Sequence, residues 1–211
     1  MEVYFLRHGE TDWNRDRRIQ GSTEWIDLNA GGVRVAESTR DAMRAGGLTF
    51  DRLYSSPLLR AMHTAQIIGA GIGLEPVADR RLQEMSFGPY EGTGYGDGCF
   101  VDGNIRACFK DPPRYAAREG AESFEDVAVR VRDFIDRELV PLAGRLARVL
   151  VVAHGGVLRT VVRLATGIPL DDFWKGAQPN CCAHVVDLSN GRISLSARAV
   201  TFASGAQASR G

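Results

Sequence analysis

Two short apolar runs, each ending in a histidine followed by glycine, constrain this chain more than anything else in it. The first is Val3-Tyr4-Phe5-Leu6, which runs into Arg7-His8-Gly9; the second is Val149-Leu150-Val151-Val152-Ala153, which runs into His154-Gly155-Gly156. Both are too short for a buried helix and carry the β-branched and aromatic side chains of strands. The second is apolar throughout, as expected of a strand covered on both faces. In an open parallel sheet, ligands bind outside the carboxyl ends of the strands. If the two strands are neighbours, both imidazoles share one crevice. The glycines let backbone approach a ligand closely, and a helix starting near Gly156 points free N–H groups at an anion.

The remaining pattern alternates. Strand signals recur at 52–55 and 76–78, and 183–188 with 192–199 read as a hairpin around Ser189-Asn190-Gly191. Helical signals cover 30–45 behind a cap at Asn29, and 57–70 with Pro57 at the first helical position. They also cover 124–140 behind Ser123 and Asp126, a capping-box pair, and 156–166 after the double glycine. The fold expected is α/β: a three-layer sandwich with a mainly parallel central sheet, helices on both faces and an antiparallel edge. Residues 1–201 read as a single domain. Within it, the Gly- and aromatic-rich stretch 86–121 reads as a lid or loop insertion, and 202–211 as a disordered tail.

Composition narrows the function. The chain has 211 residues, 26 of them basic and 26 acidic. That zero net charge argues against nucleic-acid or anionic-membrane partners, so attraction for an anion must be local. No apolar stretch is long enough to span a bilayer, and no leader-like segment opens the chain. The four cysteines have no zinc-like spacing, and Cys181 and Cys182 are adjacent. Reduced thiols in a cytoplasmic protein are the expectation. Arg60, in the first turn of its helix, sets a cation against the helix dipole, a misfit that invites a functional reading.

These residues resemble a known family. Arg7-His8-Gly9-Glu10-Thr11, followed by Trp13-Asn14, is similar to the signature of the histidine phosphatase superfamily, phosphoglycerate mutase branch. Gln20-Gly21 resembles its substrate loop, and Leu28-Asn29 with Gly32 its next helix start. Tyr54-Ser55-Ser56-Pro57-Leu58-Leu59-Arg60 resembles the segment bearing the second phosphate-binding arginine. Glu84, followed by Phe87-Gly88 and Glu91-Gly92, resembles the proton-donor segment, and Glu122-Ser123 and His154-Gly155-Gly156 complete the order.

The resemblance implies catalysis without cofactor or metal. His8 attacks phosphorus and forms a phosphohistidine. Arg7, Arg60 and His154 hold the phosphoryl oxygens, and Asn14, Gln20, Gly21 and Gly155 complete the substrate site. Glu84 protonates the leaving alkoxide and then activates water; Glu10 and Glu91 are nearby alternatives. Phe87-Gly88-Pro89-Tyr90-Glu91-Gly92 looks like the phosphatase form of this region. The expectation is therefore a phosphomonoester hydrolase acting on a small phosphorylated metabolite, with a homodimer open. A mutase, a non-catalytic phospholigand-binding protein and a metal-dependent hydrolase are the rivals. Departures from the family pattern at Trp25-Ile26-Asp27 and after Gly92 leave the substrate open among sugar phosphates, phosphoglycerate-like acids and a phosphorylated nucleoside. His63 and His184 fit no motif and read as structural. Trp25, Trp174, Phe100 and Phe109 read as packing aromatics.

Overall fold

The computed structural model describes residues 1–202; residues 203–211, and with them all of the expected disordered tail except Phe202, lie outside the described residues, while Phe202 packs against a core. Strand β1 (Glu2–Arg7) is followed by the one-turn helix α1 (Asp12–Arg15), α2 (Ala30–Ala45), β2 (Arg52–Ser55), α3 (Leu59–Ile72) and the short β3 (Val77–Ala78). A long irregular stretch carries α4 (Gly103–Lys110). Then come α5 (Phe124–Phe134), β4 (Arg148–Ala153), α6 (Gly155–Thr166), β5 (Ala183–Ser189) and β6 (Arg192–Val200). The strands form one sheet in the order β3-β2-β4-β1-β5-β6. The first four strands run parallel to one another, and the β5–β6 hairpin joins β1 antiparallel.

Period-two alternation explains the three layers. Val3 and Phe5 of β1 and Val149, Val151 and Ala153 of β4 face a core shared with α5 and α6. The intervening Leu6, Leu150 and Val152 face a second core against α2 and α3. Each such side chain, removed from water, contributes roughly 1.5–3 kcal/mol before conformational entropy is counted. The central strands are therefore anchored on both faces, and their carboxyl ends are fixed points. Arg7 stands opposite Ala153 in the register, so His8 and His154 leave the sheet at the same level.

Capping follows the sequence closely in two places. Asn29 accepts from Gly32 N–H, and Ser123 and Asp126 form the reciprocal capping box. The hairpin turn is tighter than expected. Strand β5 runs through Ser189, and Asn190 and Gly191 take φ of 51° and 70°, the pattern of a type I′ turn.

Two expectations need correction, and the 86–121 stretch contains an element not read from the sequence. Helix α3 starts at Leu59, not at Pro57. Its first N–H groups, on Leu59 and Arg60, donate to the carbonyls of Glu24 and Ile26, so a distant loop supplies the cap. The expected helix 124–140 is α-helical only through Phe134; the turn Ile135–Leu139 widens to π geometry, and a 3-10 turn follows at Val140–Leu142. The 86–121 stretch holds the helix α4, which Asp102 caps by accepting from Asn104 and Ile105 N–H. Among the described residues, no helix is long and apolar enough to cross a membrane.

Candidate active site

A cleft of about 300 Å³ opens above the carboxyl ends of β1 and β4. It draws together the residues singled out from the sequence. Arg7, His8, Asn14 and Gln20 line one part of it, and Gly21, Arg60, Glu84 and Gly155 another. His154 stands behind His8, with the ring centroids 5.2 Å apart.

His8 is buried and its ring is oriented by its own chain: Nδ1 lies 2.6 Å from the Gly9 carbonyl oxygen. A carbonyl can only accept, so Nδ1 carries the proton and Nε2 keeps the lone pair. Burial, reinforced by the charges of Arg60 and Arg7, holds the His8 pKa well below the ordinary histidine range. The imidazole is therefore neutral near pH 7, as a nucleophile must be.

His154, fully buried, meets the Ser56 hydroxyl through Nε2 at 2.8 Å. The Ser56 oxygen accepts from Leu58 N–H, and its own proton is free to go to His154 Nε2. In that arrangement the imidazole proton sits on Nδ1, which has no hydrogen-bond partner among the described residues. Burial, then Arg60 and His8, lower this pKa too, so His154 is a neutral donor.

Arg60 is 0% exposed, although its helical position marks a surface residue. Its Nη1 donates to Thr23 O at 2.9 Å and its Nη2 to Gly21 O at 2.7 Å, while Nε has no partner among the described residues. Burial draws its pKa down to about 10, which still leaves it charged at neutral pH. Arg7 is held in the same way, through Nη1 to Gln178 O at 2.5 Å, with Nε unpaired among the described residues. Backbone carbonyls thus fix both guanidiniums in place without neutralising them. Asn14 is fixed by its oxygen: Thr11 N–H and Asn180 Nδ2 both donate to Oδ1, so its NH₂ is the end left for a ligand.

The three candidate glutamates separate cleanly. Glu10 is engaged with Asn29. Glu91 accepts from Ser22, Thr23 and Phe87 and braces the loop at Gly21, where φ is +51° and a side chain would strike that carboxylate. Only Glu84 lines the cleft. Both its oxygens accept from Gly156 N–H, at 3.1 and 3.0 Å. The N-terminus of α6, expected to face a ligand, is therefore turned in part to Glu84. Arg130 holds the approach to this residue by donating to the carbonyls of Arg81 and Gln83 at 2.7 Å each.

Sequence reasoning missed other lining residues. Arg18, Arg159 and Gln178 supply polar groups, and Phe87, Tyr95, Phe109 and Trp174 an aromatic wall. Arg159 was within reach of the helical period, about one turn beyond Gly155; Gln178 belongs to no motif. Phe109 stacks on Phe87, Tyr95 and Phe100 and packs against Trp174, in line with the packing role expected for these rings. Trp25 is not a core residue: it is 68% exposed and meets Trp13 edge-on. His63 pairs with Asp27 at the surface, away from the cleft. Among the described residues, no three His, Cys, Asp or Glu side chains converge as a metal site. The four cysteines are unpaired.

Comparison with known proteins finds a family profile, related sequences and related structures. The family profile described as histidine phosphatase superfamily (branch 1) matches residues 3–201. A protein of Hydrogenobacter thermophilus provisionally named phosphoserine phosphatase 2 is 31% identical over 82% of each chain. A 2,3-bisphosphoglycerate-dependent phosphoglycerate mutase of Methylobacterium is 32% identical over 82% of this chain and 87% of its own. The crystal structure of the alpha-ribazole phosphatase from Shigella flexneri superposes with a TM-score of 0.79 at 27% identity, covering 98% of this chain and 100% of that one.

Proposed function

The chain belongs to branch 1 of the histidine phosphatase superfamily, and from that premise we propose that it hydrolyses the phosphomonoester of a small metabolite, without a metal, through a phosphohistidine on His8. The observation that carries this reading is the His8–Gly9 contact of 2.6 Å. It leaves Nε2 as the lone-pair nitrogen of a neutral ring, beside two guanidiniums that backbone carbonyls hold. Arg7 and Arg60 meet the charge of the phosphoryl oxygens, and His154 Nδ1 and Asn14 Nδ2 add neutral donors. Because backbone and neighbouring side chains already hold these groups, little reorganisation accompanies the transfer. Glu84 gives its proton to the leaving alkoxide as the P–O bond breaks. It then takes one from the water that cleaves the phosphohistidine.

Phosphatase-named neighbours of differing substrates leave the leaving group open. The size of the cleft and its aromatic wall support a compact phosphorylated metabolite. The mutase reading stays in view because relatives of similar identity carry that name. Against it stands Phe87-Gly88-Pro89-Tyr90-Glu91-Gly92, which resembles the phosphatase form with Tyr90 in place of its Trp. One experiment separates the two: incubation with 3-phosphoglycerate and with a panel of phosphorylated metabolites in EDTA. Free phosphate and an acid-labile phosphohistidine are expected. Release of 2-phosphoglycerate with little free phosphate overturns the hydrolase reading, and activity lost to EDTA overturns its metal independence.

A further inference from the structure

We propose that Gln178 is a further substrate-contacting residue, donating its amide N–H to a phosphoryl oxygen beside Glu84, and that His184 is the positioning residue that sets this amide. The inference rests on the phosphohydrolase reading of the same site and adds a donor that none of the motif residues supplies.

The chain of hydrogen bonds is fixed from its two backbone ends. Ala199 N–H donates to His184 Nδ1 at 3.0 Å. A backbone N–H can only donate, so Nδ1 is an acceptor and the proton of the neutral ring lies on Nε2. The ring is neutral at pH 7: it is 5% exposed, and burial, with Arg159 and Arg198 nearby, draws its pKa down to about 4. His184 Nε2 faces Gln178 Oε1 at 3.4 Å. The other end of the amide, Nε2, donates to the Gly155 carbonyl at 3.2 Å. A carbonyl can only accept, so both ends give the same answer: Oε1 toward His184, NH₂ toward Gly155.

A primary amide carries two N–H bonds, and the Gly155 carbonyl takes one. Gln178 lines the cleft and is 8% exposed. Its nitrogen shares a neighbourhood with the proton donor of the site. A methyl placed on Gly155 lies 3.9 Å from Gln178 Nε2 and 3.6 Å from Glu84 Oε2. The amide nitrogen and the Glu84 carboxylate thus flank one point at the first residue of α6. The Gln178 backbone carbonyl is already committed to the site, because it anchors Arg7. Rotating the amide by half a turn sets oxygen against the Gly155 carbonyl and against the incoming phosphate. His184 prevents this by presenting a donor.

The test is orthovanadate affinity by calorimetry, alongside kcat/KM for p-nitrophenyl phosphate, in wild type, Gln178→Met, His184→Leu, His184→Gln and the double variant Gln178→Met/His184→Leu. A neutral donor to a charged oxygen predicts about ten- to hundredfold loss in Gln178→Met. His184→Leu is expected to lose part of this. The double variant is expected to be no worse than Gln178→Met, because His184 acts only through that amide. His184→Gln restores a donor facing Oε1 and recovers most of the loss. Gln178→Met within twofold of wild type in vanadate affinity overturns the proposal; so does a His184→Leu loss that adds in full to that of Gln178→Met. Failure of the underlying phosphohydrolase reading looks different: the wild type binds vanadate and hydrolyses no phosphomonoester.

Discussion

Gly156→Ala isolates the placement of the proton donor without altering a single reactive group. A Cβ at this position lies 2.6 Å from Glu84 Oε1. Carbon and oxygen settle at roughly 3.3–3.5 Å, so the carboxylate must retreat by ~0.8 Å. Its bonds to Gly156 N–H, now 3.0 and 3.1 Å, lengthen out of range. Stability suffers little, because the atom that moves is the far end of a flexible side chain. Alanine also gains about 1 kcal/mol over glycine in a helix, against an overpacking cost of ~1–3 kcal/mol. The melting temperature should fall by no more than about 2–8 °C for a domain of this size. Catalysis is far more sensitive, since an acid misplaced by about 1 Å costs on the order of 10² in rate. The assay is kcat/KM, which reports the steps through phosphoryl transfer to His8. With glycerol 3-phosphate, whose alkoxide needs a proton to leave, a loss of about a hundredfold is expected. With p-nitrophenyl phosphate, whose leaving group needs little protonation, the loss should stay within about threefold. Equal losses on both substrates, or none on either, would refute the reasoning that Glu84 is the acid and that Gly156 keeps it there.

Other outcomes follow from the same geometry. His8→Ala should abolish turnover and the acid-labile phosphoenzyme while costing only about 0.5–1.5 kcal/mol for the bond to Gly9; residual phosphoenzyme after trapping would exclude His8 as nucleophile. Because the charged imidazole is the inactive form and its pKa is lowered, kcat/KM should hold through pH 6.5 and decline only well below it. A midpoint at or above 6.5 contradicts the buried, arginine-flanked setting. Stability has the matching sign. His184 binds a proton in the unfolded chain below about 6.5 but in the folded chain only near 4, so stability falls as pH drops between these values. The loss for this one residue is on the order of 3 kcal/mol, readable by urea melts at pH 7 and pH 4.5. Arg130→Met releases the carbonyls of Arg81 and Gln83. It should lower kcat/KM for alkyl phosphates about tenfold, and less for p-nitrophenyl phosphate.

The cluster proposed to grip the phosphoryl group was legible as a cluster because its residues sit on strand ends and in short motifs. Arg7, His8, His154 and Gly155 are placed by two apolar runs whose alternation fixes register and level together. Arg60 was legible by resemblance, and its misfit with the helix dipole was a real signal: the side chain turns inward and is anchored by two carbonyls. What failed to show depends on contacts between distant segments. No local pattern says that Glu24 and Ile26 cap α3. Nor does any say that Glu91 braces the Gly21 loop while Glu84 faces the cleft; the two carboxylates differ only in their tertiary partners. Helix α4 was hidden because eight residues amid glycines give a weak periodic signal, and Asp102 was its only clear start. Gln178 was invisible for the same reason: its orientation is set by residues 155, 184 and 199.

Strand β1 has β4 and β5 as its neighbours in the sheet, and Arg148, at the start of β4, lies 146 positions after Glu2. At ordinary synthesis rates of about 5–20 residues per second, the ribosome needs roughly 7–30 s to deliver that partner. Throughout that interval the nascent first strand waits with apolar faces and open edges, a natural client for holdase chaperones. The proposed nucleophile is thus translated well before the strand that completes its site, and a single pairing event brings the second histidine alongside.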